Sequence, residues 1–268
     1  MAAERTPSAG EHADALWIAV RAITEEARKR PGLRAAFVAG SLARGEHDAY
    51  SDADLYLVVH EQEGAELLRY PLPLLESHGP VLATVRFTER SGLAVFFRSG
   101  VRVDLHVVTP RGIRPTDTIA VLHDPEGLLA AYDPTPPILS PTELYGVLDS
   151  CCLTLYDADV AFRRGDRLQA TWLVSRLLSL VTILHRAGVR PDNSLLGVKK
   201  IARHLTPEAQ RKFEDALDRL RPSTLREGAG RSVALLEEAV GCLGPAFSEG
   251  ANREFLALLR DRIARWED

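Results

Sequence analysis

Phe37-Val-Ala-Gly-Ser-Leu-Ala-Arg-Gly-Glu-His-Asp-Ala-Tyr-Ser-Asp-Ala-Asp-Leu-Tyr-Leu-Val-Val59 reads as an apolar strand, a Gly40-Ser41 turn with a short helical or turn segment, and Ser51-Asp52-Ala53-Asp54 opening a second strand. Each part has a chemical use. Gly40 lets a phosphate approach the backbone, and Ser41 adds a hydroxyl donor where the free N–H groups of a turn point outward. Asp52 and Asp54 lie two residues apart, so on an extended strand both carboxylates leave the same face. Like charges so placed repel, and a divalent cation resolves the repulsion; all-oxygen ligands suit Mg2+ or Mn2+.

Working outward, the run 101–108 alternates cleanly: Val101, Val103, Leu105 and Val107 share one face, Arg102, Asp104 and His106 the other. Paired beside the strand that starts at Asp52, it would bring Asp104 in as a third carboxylate. Three such groups can hold one or two metals for in-line displacement at phosphorus. Taken singly, Gly-Ser is a common turn, Asp-x-Asp a common loop element, and Asp104 or His106 an exposed residue on a half-buried strand. The compound pattern is what points to chemistry. Arg44, near the turn, is a candidate to steady a triphosphate, with an ordinary surface arginine as the alternative.

Residues 12–29 place Leu16, Val20, Ile23 and Ala27 at helical spacing, and further strand-like runs occupy 35–39, 55–59, 81–87, 93–97 and 119–122, with a short helix expected at 125–132. After a proline-rich linker at 133–141 the strand signals vanish. Helices are expected at about 142–164, 166–187, 194–204, 207–220, 230–242 and 251–266, with Thr206-Pro207 as N-cap and first helical residue. The fold class is therefore α+β: a mixed β-sheet flanked by helices, then a helical bundle. In the bundle, Trp172 and the run 173–184 read as core, and Cys151-Cys152 as buried packing. Glu143, Asp149, Asp157 and Asp159 are candidates to line an acceptor pocket. Lysine is rare, at Lys29, Lys199, Lys200 and Lys212 only. Lys199 and Lys200 are adjacent, and a compact ammonium is a usual phosphate ligand, so they are candidate nucleotide contacts; a solvated helix face is the alternative.

The 268 residues, 46% hydrophobic and 26% charged, have the balance of a globular protein rather than a disordered one. No uninterrupted apolar run reaches the ~20 residues that cross a bilayer, and the first residues show no secretory pattern. An odd count of three cysteines without a CxxC pair argues against a disulfide framework, and a cytoplasmic location is expected. Before the prolines, 14 Lys and Arg face 19 Asp and Glu, a net −5; after them the counts are 19 and 18, a net +1. Nucleic-acid binders normally present a basic face, so a small, preferentially cationic partner is expected instead of nucleic acid or membrane.

Gly40-Ser41-Leu-Ala-Arg44-Gly45 followed by Ser51-Asp52-Ala-Asp54 resembles the signature of the DNA polymerase β-like nucleotidyltransferase superfamily. The wider chain is similar to antibiotic nucleotidyltransferases, most of all the lincosamide family, through Gly45-Glu46, Tyr50-Ser51, the strand around Asp104 and Phe162-Arg-Arg-Gly-Asp-Arg167. This resemblance implies transfer of a nucleoside monophosphate, usually AMP from Mg-ATP, to a drug hydroxyl with release of pyrophosphate. It implies a catalytic domain over 1–137, a helical substrate-binding domain over 138–268, and in many members a homodimer. The candidate metal ligands thus stand as Asp52, Asp54 and Asp104 and the candidate nucleotide contacts as Gly40, Ser41, Arg44, Ser51, Lys199 and Lys200, while the resemblance carries the role of base to Asp104, which could equally be a metal ligand. Asp54 and Asp104 stand where relatives can carry glutamate. An aminoglycoside acceptor is the alternative substrate, and a non-catalytic or protein-modifying module of the same superfamily the alternative class. A helical half of this length argues for a built-in acceptor site.

Overall fold

Ser8 and Glu11 start the first helix by capping each other: the Ser8 hydroxyl accepts the Glu11 N–H at 3.2 Å and the Glu11 carboxylate accepts the Ser8 N–H at 2.8 Å, a capping box in which the Ser cap alone is worth about 1 kcal/mol. The computed structural model describes residues 8–88, 91–114 and 116–267, and the chain divides into two compact units, one ending at Pro136 and one beginning at Pro137.

Among the described residues, the first unit is built on six strands: β1 (Leu33–Ala39), β2 (Ala53–Val59), β3 (Val81–Arg86), β4 (Gly92–Phe97), β5 (Arg102–Val108) and β6 (Ile119–His123). Their order is β3-β4-β5-β2-β1-β6. Only β2 and β5 run parallel; the other neighbours are antiparallel. A parallel pair needs a long crossover, and here it holds two helices that sequence periodicity did not reveal, α3 (Glu61–Arg69) and α4 (Leu72–Leu75), plus the β3–β4 hairpin. Helix α1 (Ala9–Ala27) and the one-turn helix α2 (Gly40–Ala43) complete the unit.

Period-2 alternation sorts the sheet into two faces. Leu16, Val20 and Ile23 of α1 pack with Val38, Leu55, Leu57, Val103 and Leu105 in one continuous core, each fully buried side chain contributing roughly 1.5–3 kcal/mol of transfer free energy. The opposite face carries Phe37, Val58 and Leu129 in a smaller cluster, and beside it the polar residues of β2 and β5. The helix expected at 125–132 is absent: these residues form turns. The Asp124 carboxylate takes the N–H groups of Leu128 and Leu129, both at 2.8 Å, and so competes with helical pairing.

The second unit is helical: α5 (Pro141–Arg163), α6 (Arg167–Val189), α7 (Pro207–Asp218), α8 (Leu225–Cys242), α9 (Pro245–Gly250) and α10 (Arg253–Ala264). Thr206 caps α7 through the Ala209 N–H, as its position before Pro207 predicts. The helix expected at 194–204 does not form. Two short 3₁₀ segments, Pro191–Leu196 and Ile201–Arg203, replace it, separated by positive φ at Gly197 and Lys200. The helix expected at 251–266 is α10, started by Asn252, whose side chain accepts the Phe255 N–H, and the short α9 lies just before it.

Trp172 is a further correction: it is 72% exposed, while Ala170, Val174, Leu177, Leu178, Val181 and Leu184 of the same helix are buried. An apolar run hides which side of a helix faces inward. Among the described residues, α6 alone has the length and apolar content of a membrane-crossing helix, and that buried side packs within the core of the unit. Cys151 and Cys152 are buried as expected, Cys242 is exposed, and burial, reinforced by the nearby Asp149 charge, pushes the Cys152 thiol up to about 11.

Candidate active site

The strand entry at Asp52 is fixed from two sides. The Ser51 hydroxyl accepts the Asp48 N–H at 2.9 Å and reaches the Asp48 carboxylate at 3.2 Å, closing the loop before β2. Nε2 of buried His12, on α1, donates to the Ser51 carbonyl at 2.7 Å. Ser51 thus braces the loop that presents Asp52. Sequence reasoning missed His12 because its partner lies 39 residues away.

From this entry the parallel register sets Asp54 directly beside Asp104 and Tyr56 beside His106. Asp104 and His106 are buried, not exposed as isolated strand residues would be; the Asp52 and Asp54 side chains keep 25% and 32% of their surface. The cation that compensates Asp104 is Arg102, whose Nε and Nη2 donate to both carboxylate oxygens at 2.8 and 2.7 Å. Its Nη2 also stands 3.7 Å from Asp52. Hydrogen bonding to Asp104 in turn raises the pKa of Arg102 above its ordinary value. An Arg-x-Asp pair on one strand face was legible in the sequence as a same-side pair.

Gly40 meets this cluster from β1. Its φ is +74°, and a Cβ placed there would lie 2.5 Å from Asp54 Oδ2. Gly40→Ala is therefore expected to cost at least the ~1–2 kcal/mol of a left-handed L-residue, read by urea unfolding; wild-type stability would refute the strain. Ser41 follows as the first turn of α2 and is partly exposed. Arg44 is tied to Glu46 at 2.8 Å and to Asp117. Burial opposes its charge, but the bonds to Asp117 and Glu46 outweigh burial and raise its pKa. Lys199 and Lys200 lie in the second unit, between the two 3₁₀ segments, where the Lys199 carbonyl accepts from the buried Arg186 guanidinium.

The donor set suits a hard cation in part. Asp52 and Asp54 offer carboxylate oxygens at the surface of the cluster, whereas both Asp104 oxygens are held by Arg102. Among the described residues, no three His, Cys, Asp or Glu side chains already form a metal cage. Of the acidic residues of the helical unit, Glu143 is spent on a capping box with Ser140, and Asp159 is fully buried among arginines.

No protein-family model and no curated protein matches the chain. Solved structures do align with it. An aminoglycoside 6-adenyltransferase from Bacillus subtilis aligns at 11% identity and TM-score 0.37, over 90% of this chain and 97% of that one. A nucleotidyltransferase-like protein from Exiguobacterium sibiricum gives 12% identity and TM-score 0.38, over 91% and 87%. The Thermotoga maritima CCA-adding enzyme, complexed with tRNA, gives 11% and 0.32, over 95% and 72%.

Proposed function

We propose that this chain is a nucleotidyltransferase that moves a nucleoside monophosphate, AMP from ATP in the first instance, onto a hydroxyl of a small molecule and releases pyrophosphate. The observation that carries this reading is the meeting of three features at one edge of the polar face: the Gly40 turn without a side chain, the Asp52-x-Asp54 entry to β2, and Asp104 at the register of Asp54. Asp52 and Asp54 would hold Mg2+, which when bound supplies charge neutralisation for the triphosphate. Gly40 and Ser41 give the phosphates a backbone they can approach closely.

In the reaction the acceptor oxygen bonds to the α-phosphorus, the bond from that phosphorus to the bridging oxygen of the β-phosphate breaks, and the electron pair leaves with pyrophosphate. In this reading Asp104 takes the hydroxyl proton, for which one of its two bonds to Arg102 has to open. A positioned base contributes ~10²–10⁴-fold, so Asp104→Asn is expected to lower kcat at least ~100-fold while Mg-ATP still binds. Loss of Mg-ATP affinity along with turnover would make Asp104 a metal ligand instead. If neither changes, Asp104 has no part in the reaction.

A lincosamide is the acceptor class proposed first, with an aminoglycoside second; the net negative charge of the first unit suits a cationic drug of either kind. The test is incubation with Mg2+, each nucleoside triphosphate and a panel of both classes, followed by mass spectrometry for a nucleotide adduct and an assay for pyrophosphate. An adduct identifies acceptor and nucleotide together. Nucleotide binding without an adduct or pyrophosphate from any pair would point to a non-catalytic module.

A further inference from the structure

His106 is a buried imidazole that the proposed reaction leaves unused, and it belongs to a row of rings crossing the sheet. Phe37 on β1, Tyr56 on β2, His106 on β5 and Phe87, just after β3, follow one another at centroid spacings of 4.8, 4.4 and 5.3 Å. Their planes differ by 4°, 19° and 20°. Room for Phe87 comes from Gly92, which pairs with His106 across β4 and β5. A Cβ at Gly92 would stand 2.4 Å from the Leu105 carbonyl oxygen and 3.1 Å from Phe87 Cδ2.

With a ring against each face, the imidazole keeps only its edge for polar contact. That edge meets Asp54: Nε2 lies 3.6 Å from Oδ1, an electrostatic contact that a small shift would turn into a hydrogen bond. The other oxygen, Oδ2, fills the space that Gly40 leaves open. Asp54 is therefore bounded on both sides, by an imidazole whose plane is set by stacking and by a backbone without a side chain.

Resting on the nucleotidyltransferase reading, we infer that His106 is a positioning residue for Asp54. Its Nε2–H directs Oδ1, the ring stack keeps the imidazole from turning away, and Asp54 is held ready for the cation and triphosphate instead of sampling other rotamers. Groups that orient a metal-binding carboxylate in this way are typically worth ~10–100-fold in affinity or activity.

The test separates the donor from the ring. His106→Phe keeps the stack and loses the donor; His106→Gln and His106→Met lose the ring equally and differ in the donor. Mn2+ binding with a non-hydrolysable ATP analogue, followed by electron paramagnetic resonance, is the readout, with kcat and thermal midpoint alongside. His106→Phe and His106→Met are expected to weaken Mn2+ binding ~10–100-fold, with His106→Gln recovering part of the loss. Wild-type Mn2+ affinity in His106→Phe overturns the inference, and so does a Gln variant as weak as Met. If His106→Phe does not fold, the Gln–Met pair decides alone. Asp54→Asn is the control: if it binds Mn2+ and analogue like wild type, the reading of the site fails and the inference with it. If Asp54→Asn loses binding while the His106 variants keep it, only the inference falls.

Discussion

Asp52→Asn is expected to lower kcat by about 10³-fold or more at saturating Mg2+ and nucleotide, without loss of fold. Asparagine keeps the shape but offers a neutral amide oxygen where a hard cation needs a charge. A bound ion is worth several kcal/mol of charge stabilisation at phosphorus, and at 1.36 kcal/mol per decade about 4 kcal/mol amounts to that factor. The backbone at this point is held by Ser51 and His12, not by the Asp52 side chain. Removing one of three neighbouring negative charges, compensated by Arg102, also relieves repulsion. The melting temperature should stay level or rise. The check is turnover by adduct mass spectrometry beside a thermal melt, with chelation by EDTA expected to abolish wild-type turnover. Near-normal Mg2+-dependent turnover in Asp52→Asn would remove Asp52 from the site.

How much of this was legible in the sequence depends on the range of each interaction. Local signals carried well. The alternation of β5 told which face Asp104 and His106 occupy, and Thr206-Pro207 marks a helix start that the structure contains. The placement of Asp54 beside Asp104 required a parallel pairing between strands 50 residues apart, which alternation permits but does not choose.

What failed did so for two physical reasons. The first is competition between local pairings. Asp124 diverts the N–H groups that a helix at 125–132 would need, and positive φ at Gly197 and Lys200 interrupts 194–204. The second is partnership between side chains, near or far in sequence, that a reading by residue type does not pair. Asp104 looked like a ready metal ligand because its neighbour Arg102 was read as one more polar residue, when the two are joined by two hydrogen bonds. Trp172 looked like core because an apolar run was counted without asking which side of α6 the rest of the unit covers.

Asp159 shows the second reason most sharply, and it yields the largest expected change in stability. As an acidic residue early in the helical half it reads as a pocket residue; the structure makes it a buried anchor with no exposed surface. Trp266 Nε1 donates to Oδ1 at 2.9 Å, Arg262 Nε to Oδ2 at 2.7 Å, and Arg163 Nε to both oxygens at 2.9 and 3.0 Å. The Trp266 ring stacks on Phe162 at 3.9 Å, so one carboxylate ties α10 and the residues after it to α5. Burial pushes the Asp159 pKa up, but the bonds from Trp266, Arg262 and Arg163 outweigh it and the net shift is downward. A carboxylate whose folded pKa lies below its unfolded one contributes stability that is present above the unfolded value, about 3.9, and is lost as pH falls through the folded value. Asp159→Ala leaves the arginines and the indole without their acceptor, and breaking a buried pair in this way costs about 3–5 kcal/mol. That loss should appear in full at pH 7 as a lower urea midpoint with an unchanged slope, and should shrink in acid as the wild-type carboxylate gains its proton. A loss below about 1 kcal/mol at pH 7, no more than a surface ion pair contributes, would show that the network adds little beyond packing. Of the four acidic residues, Glu143 is engaged in a helix cap and Asp159 in this buried network, while Asp149 and Asp157 are exposed on α5.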